Sequence, residues 1–272
     1  MSKPEEIKDT KVAWFEQNPD ESKVPPAATR RLLETYSGIP PEDVFEHVVN
    51  LRNEAWNVFP YPCIGQFRFL EPSFFGFDAL PEVLERLCEG QKLLDMACCF
   101  GQTVRELFAG GAPADNIYGC DLQPGFIELG YKLFKDRGKL QTKFLIADIF
   151  DPNSALEELR GQIDMVYAGS FFHLWGLDDQ IKVSKAVATL LRPRQGSMIL
   201  GRQIGAVEAS EQTSPTGTMY RHNVESLKKM WKEIGDDLGV TFIVEASLKP
   251  VSEDHFLNTD DTRRIWFVIR RE

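Results

Sequence analysis

From residue 78 onward the apolar positions switch regularly between two periods. "KLLDMA", "NIYGCDL", "TKFLIAD", "IDMVYAG" and "SMILGRQIG" are short apolar runs that read as buried strands. Between them stand amphipathic stretches with a helical period: "DALPEVLERLCEG", stopped by Gly90, then "QTVRELFAGG", "GFIELGYKLFKDRG", the short "SALEELRG" and "DDQIKVSKAVATLLRP". In the last of these Val183, Val187, Leu190 and Leu191 share one face. "NVESLKKMWKEIGDDLG" predicts a further helix, and "TFIVEASLK" and "RRIWFVIRR" predict two closing strands. Short buried strands alternating with helices predict an α/β fold with an open, doubly wound parallel sheet.

The pattern before residue 78 is different. Residues 1–50 are polar and charged, broken at Pro25-Pro26 and Pro40-Pro41, with short helices predicted over 5–16, 27–36 and 42–56. Then comes "WNVFPYPCIGQFRFLEPSFFGF", with eight aromatic residues from Trp56 to Phe77. This stretch is either irregular chain packed on a core or the wall of an apolar ligand pocket. The chain thus divides into an N-terminal lid and acceptor-pocket segment, 1–77, and a core, 78–272. A polar, irregular segment at 205–222 is expected to form a lid loop over the strand ends.

Composition narrows the function classes. The chain has 272 residues, 43% of them hydrophobic, with a net charge of −10 and a pI near 5.1. The acidic balance and the lack of a basic stripe argue against a nucleic-acid partner and against binding to a membrane surface. The charged N-terminus does not read as a signal peptide, and no run of apolar residues is long enough to span a bilayer. The five cysteines have no paired spacing, which predicts free thiols in a reducing cytosol.

In an open parallel sheet, ligands sit beyond the carboxyl ends of the strands. There the chain places Asp95 with the turn 97–101, then Asp121-Leu122, Asp148-Ile149 and the run from Ala168 to His173. Asp121 suits a ribose diol, and Asp148 with Ile149 suits an exocyclic amine and a purine face. Cys98 and Cys99 are adjacent, and no second ligand cluster accompanies them. They read as small residues in a tight cofactor turn rather than as a metal or redox pair, and no metal site is expected. The turn lacks the G-x-G-x-x-G of dinucleotide sites, and an acid ending the first strand fits poorly beside a diphosphate. It suits S-adenosyl-L-methionine, which carries an ammonium and a sulfonium and no phosphate.

"LLDMACCFGQ", "YGCDL", "ADIFD" and "DMVYAGSFFHL" together resemble the four successive motifs of class I S-adenosylmethionine-dependent methyltransferases. More narrowly, "FPYPCIGQFRFL", "CCFGQ", "AGSFFHLW", "LLRPRQGSMILGRQIG" and "MYRHNVES" resemble fungal methyltransferases of secondary metabolism, which include carboxyl O-methyltransferases of meroterpenoid pathways. The resemblance runs from about Trp56 to the C-terminus. It implies a Rossmann-like, seven-stranded, mostly parallel sheet with helices on both faces, and a homodimer. It also implies that Asp95 with Ala97, Cys98 and Gly101 holds the methionine part, that Asp121 takes the ribose and Leu122 lies against the adenine. Asp148 would accept from the adenine amine, Ile149 would pack on the ring, and Tyr167, Ala168 and Ser170 would lie under the sulfonium. The family turn opens with glycine where this chain has Ala97, so a negative φ is expected there.

Methyl transfer needs an aligned, desolvated acceptor, and a base only if the acceptor is a hydroxyl. His173 is the candidate base, with acceptor positioning, or a plain structural role bonded to a helix start or packed under the lid, as the other readings. Arg202 and Arg221-His222 are candidate clamps for an acceptor carboxylate, each with a surface salt bridge as the plainer role. Arg68 could reach either the cofactor carboxylate or the acceptor, or make a cation–π contact with its phenylalanine neighbours. The aromatic stretch suits a terpenoid or polyketide acceptor. Glu253-Asp254 and Asp260-Asp261 read as solvated loops. Two other functions remain open: a cyclase, isomerase or lyase that uses the cofactor's charge without methyl transfer, and a non-catalytic partner protein.

Overall fold

The computed structural model describes residues 9–74, 77–214, 217–252, 255 and 257–272. Helices α1 (Ala27–Thr35), α2 (Val44–Val58), the single turn α3 (Pro62–Gly65) and α4 (Leu80–Cys88) precede the sheet. Then β1 (Leu93–Met96), α5 (Gln102–Ala109), β2 (Ile117–Asp121), α6 (Pro124–Phe134), β3 (Lys143–Ile146), β4 (Met165–Tyr167), α7 (Leu177–Leu190) and β5 (Met198–Ala206) follow in order. The chain closes with β6 (Ser210–Ser214), β7 (Gly217–Arg221), α8 (Val224–Leu238), β8 (Phe242–Pro250) and β9 (Thr262–Arg271). The short helix predicted at 154–161 is a 3-10 turn, Ala155–Leu159.

One seven-stranded sheet runs in the order β3-β2-β1-β4-β5-β9-β8. The first five strands are parallel, and β9 lies antiparallel between β5 and β8. This is the mostly parallel, doubly wound sheet expected. β1 and β4 are buried at every position, as strands covered by helices on both faces must be. β8 is the edge strand and alternates between half-buried and exposed residues. Strand order reverses between β1 and β4, which opens a crevice at their carboxyl ends.

Local sequence signals set several element ends. Asn223 caps α8 through a reciprocal pair with Ser226, and Gly239 closes it at φ 65°. Pro124 opens α6. In β2, Gly119 leaves the space that the Phe144 ring fills, since a Cβ there would lie 2.5 Å from that ring and 3.2 Å from Cys98 Sγ.

The N-terminal segment shares its core with the sheet domain. Val48, Leu51, Trp56 and Phe69 form one apolar cluster with Phe100, Phe126 and Leu133. The helix predicted over 5–16 does not form across its described part, 9–16, which is turns and bends. Buried Arg52 takes the Glu16 and Gly65 carbonyls at 2.9 Å each, and Glu16 N–H donates to Gly65 at 3.0 Å. These tertiary bonds replace the helical ones, a common outcome for a short segment of weak propensity.

Segment 205–222 is not irregular. It carries the β6–β7 hairpin, which braces the loop after β4. Tyr220 N–H donates to the Trp175 carbonyl at 2.8 Å, and Gln180 Nε2 bridges the Trp175 and Tyr220 carbonyls, each at 2.8 Å. Glu211 receives Leu177 N–H at 3.2 Å.

Candidate active site

A cleft of about 230 Å³ opens at the carboxyl ends of β1, β2, β4 and β5. It is lined by nine of the proposed residues: Asp95, Ala97, Cys98, Asp121, Leu122, Asp148, Ile149, Ser170 and Arg202. Arg68 and Tyr167 line it as well.

The floor is built from a strained turn. Ala97 has φ 55° and Cys99 φ 53°, so the negative φ expected at Ala97 is not found. Cys98 N–H is tied to the Cys120 carbonyl at 2.8 Å and Cys99 N–H to Asp121 Oδ2 at 2.8 Å, which leaves Ala97 no room to relax. Ser170 (φ 54°) and Phe67 (φ 57°, next to Arg68) adopt the same left-handed conformation. Strain concentrated around one cleft is a mark of a functional site.

Asp95 is 2% exposed and its Oδ2 has no partner. Burial, helped by the charges of Glu106 and Asp121, raises its pKa well above the ordinary carboxylate range, against a hydrogen bond from Thr103. In the same lining the buried Gln102 Oε1 also lacks a donor. Two orphaned acceptors on one cleft floor fit an ammonium, which would restore the Asp95 charge. Asp121 accepts from Cys99 and, at 2.9 Å through Oδ1, from Gln123 N–H. Leu122, 53% exposed, and the half-buried Ile149 offer apolar faces for a purine. The exposed Asp148 accepts from Phe150 N–H at 2.9 Å. The residues present therefore fit S-adenosylmethionine.

The cysteines are thiols, not thiolates. Burial pushes Cys98 and Cys99 well above their ordinary pKa. Asp95 and Asp121 add to the shift at Cys98, and Cys63 and Asp121 add to it at Cys99. A neutral thiol is a poor nucleophile and a poor metal ligand.

Four proposed residues do not line the cleft. Gly101 caps α5 at φ 64°, and a Cβ there would meet Arg105 Nη1 at 2.5 Å. Ala168 is fully buried, its N–H held by the Leu200 carbonyl at 2.8 Å. His173 is buried with Nδ1 unpartnered, and desolvation, reinforced by Arg68, Arg221 and Arg264, lowers its pKa to about 3. A base that weak takes a hydroxyl proton poorly. Arg221 is buried, with Nη1 3.3 Å from Thr262 Oγ1. Its neighbour His222 bonds Ser226 Oγ at 2.8 Å. Among the described residues none of 205–222 lines the cleft, because the hairpin is spent on the loop after β4. Asp261 receives Glu208 N–H at 2.9 Å, while Glu253 and Asp254 lie outside the described residues.

Sequence reasoning missed Glu71, Ser73, Thr103 and Trp175, all on the cleft wall, and Glu106 and Arg264 close behind it. Glu106 carries the clearest electrostatic signal of these. Both its oxygens accept Ser73 N–H at 3.1 Å, and burial pushes it up to about 7. Thr103 and Gln102 follow the turn directly, so proximity in sequence could have flagged them. Nothing local marks Glu71 or Arg264.

Polarity changes across the sheet. Asp148, just after β3, Asp121, ending β2, and Asp95, near the end of β1, lie on one side of the switch point, and Arg202 lies on β5 on the other. Glu71 gathers Arg68, Arg202 and Arg264 on that basic side. Burial would raise the Glu71 pKa, but the three guanidiniums outweigh it and leave the carboxyl below its ordinary value.

Comparison with known proteins agrees with this fold. Residues 14–70 match the family model "Meroterpenoid methyltransferase N-terminal domain" and residues 93–194 match "Methyltransferase domain". The chain is 39% identical to the O-methyltransferase phiE of Fungal sp. (strain ATCC 74256), over 96% of this chain and 93% of that one. It is 40% identical to the asnovolin E/chermesin D methyltransferase nvfJ of Aspergillus novofumigatus, over 79% of each. Among solved structures, Burkholderia thailandensis 1,6-didemethyltoxoflavin-N1-methyltransferase superposes with a TM-score of 0.52 at 12% identity, covering 83% of this chain and 89% of that one. That last likeness is one of fold.

Proposed function

The chain belongs to a fungal family of S-adenosylmethionine-dependent O-methyltransferases, and from that premise we propose that it esterifies the carboxylate of an apolar small molecule of secondary metabolism. One observation carries the choice of a carboxylate: Arg68 and Arg202 face the same cleft as the cofactor acids, while among the described residues no histidine is in its lining, and His173, which follows β4, is buried. A carboxylate is already ionised at neutral pH and needs no base, whereas a hydroxyl would need one.

When bound, S-adenosylmethionine supplies an electrophilic methyl group on a sulfonium. This chain's residues bind and orient. Asp95 and Gln102 would take the ammonium, Asp121 the ribose, and Leu122, Asp148 and Ile149 the adenine. Tyr167, ending β4 between the acids and the arginines, and Ser170, in the turn after it, would border the reacting centre. Arg68 and Arg202 would hold the acceptor carboxylate through charge-assisted hydrogen bonds. Phe69, Phe171, Leu174 and Trp175 make the cleft wall apolar, which excludes water and suits a terpenoid or polyketide body. The N-terminal segment 9–74 acts as the acceptor wall rather than as a detached lid. We carry a homodimer and a cytosolic location as further parts of this reading, which sedimentation and cell fractionation would measure.

The test is incubation of the purified enzyme with S-adenosylmethionine and a panel of apolar carboxylic acids and phenols, with mass detection of products. Methyl esters accompanied by S-adenosylhomocysteine are expected. Methylation of phenols with no ester formed would refute the carboxylate reading.

A further inference from the structure

The basic side of the cleft holds more charge than two clamping arginines require. Arg264 Nη1 donates to Glu71 Oε2 at 3.1 Å. Arg202 Nη2 lies 3.5 Å from the same oxygen, and Arg68 Nε lies 3.4 Å from Oε1. The three arginine side chains are 19%, 13% and 17% exposed for Arg68, Arg202 and Arg264, so water screens them poorly. Each of the three has Glu71 as its ion-pair partner among the described residues, and one carboxylate cannot neutralise three guanidiniums. The cluster itself retains a net positive charge. Arg68, Arg202 and Glu71 line the cleft, with Arg264 pairing to Glu71 from β9. The Arg202 guanidinium also lies 5.2 Å from the centre of the Trp266 ring, which limits its orientation.

We propose that Glu71 is a specificity-determining residue: it is the resident counter-ion of a three-arginine anion site, and the charge it leaves over selects an apolar monoanion against the corresponding neutral ester. This rests on the carboxylate reading given above and adds a claim about a residue which that reading does not use. Half-buried guanidiniums need a counter-ion to stay folded in place, and Glu71 supplies one. Its single charge leaves room for a second anion. With the acid bound, two carboxylates face three guanidiniums. With the ester, which carries no charge, only Glu71 does. The site therefore holds the substrate and releases the product.

The test uses two dyes that differ by one sulfonate: the anion 8-anilinonaphthalene-1-sulfonate and its uncharged parent N-phenyl-1-naphthylamine. Both are titrated by fluorescence into protein saturated with S-adenosylhomocysteine. The wild type should bind the sulfonate more tightly. Glu71→Gln should tighten the sulfonate about fivefold, as loss of one partly screened like charge predicts, and leave the neutral dye unchanged. Arg264→Gln, which does not alter the cleft lining, should weaken the sulfonate by a similar factor and keeps the test decisive if Glu71→Gln fails to fold. Equal binding of both dyes by the wild type, an unchanged or weakened sulfonate in Glu71→Gln, or a parallel shift of both dyes would overturn the proposal. So would a change in S-adenosylhomocysteine affinity in place of the dye effect, which would assign the cluster to the cofactor's carboxylate. Failure of the carboxylate reading shows separately, as absence of methyl ester in the acid panel.

Discussion

Cys99 N–H donates to Asp121 Oδ2 at 2.8 Å, so the carboxylate at the end of β2 shapes the turn at the end of β1. With Gln123 N–H on its other oxygen, Asp121 organises both walls of the cofactor end. Asp121→Ala should lower S-adenosylhomocysteine affinity by at least about tenfold, the loss of one charge-assisted hydrogen bond or more. It should also lower the melting temperature, since two N–H groups lose partners at about 1 kcal/mol each. Titration calorimetry reads the first and scanning calorimetry the second. Wild-type affinity would remove Asp121 from the cofactor site.

Ala97 sits at φ 55°, where a Cβ costs about 1–2 kcal/mol. Glycine would relieve that strain but add about 0.5–1 kcal/mol of unfolded-chain entropy. Ala97→Gly should therefore stabilise the protein by up to about 1.5 kcal/mol and leave cofactor affinity equal or better. Urea unfolding measures it, and a clear destabilisation would show that the methyl group makes contacts worth more than the strain.

Glu106 titrates near 7 in the folded protein, raised by burial from an ordinary 4.5. A raised acid stabilises the fold fully below its unfolded pKa, and that contribution disappears as pH climbs through the folded pKa. Stability of the cofactor-free protein should thus fall between about pH 4.5 and 7, by no more than about 3 kcal/mol from this group. Glu106→Gln should flatten that part of the profile. An unchanged slope in unfolding experiments across the window would assign the dependence elsewhere.

Arg105 and Asp136 are both fully buried and joined by two hydrogen bonds, at 2.9 and 3.0 Å. Arg105 Nη1 also donates to the Phe100 carbonyl at 2.9 Å, directly behind the cofactor turn. Arg105→Met leaves a buried carboxylate with no counter-ion and only the Tyr36 O–H, at 2.8 Å, as a side-chain donor, so a loss of about 3–5 kcal/mol is expected. Cofactor affinity should weaken with it as the turn loses its backing. Denaturant unfolding with and without S-adenosylhomocysteine separates the two effects.

The strand–helix alternation from residue 78, the parallel sheet and the three acids at the ends of β1, β2 and β3 follow from periodicity and spacing within the sequence. Those features are local: a strand's burial and a turn's position are written in neighbouring residues. The placement of Arg202 on the fifth strand followed in the same way. Other features were decided by contacts between segments far apart in the chain. The backbone at 9–16 follows the carbonyl bonds of Arg52 rather than its own helical tendency. The polar segment 205–222 became a hairpin because the loop after β4 offers it partners in Trp175 and Gln180. His173 is adjacent to the cleft in sequence but turned into the core, and its chemistry changes with that burial. Glu71 and Arg264 stand 193 positions apart and meet only because β9 inserts beside β5. Sequence determined which groups lie at the strand ends; the tertiary fold decided which of them face water, a partner or nothing, because desolvation and long-range pairing depend on segments that local pattern cannot bring together.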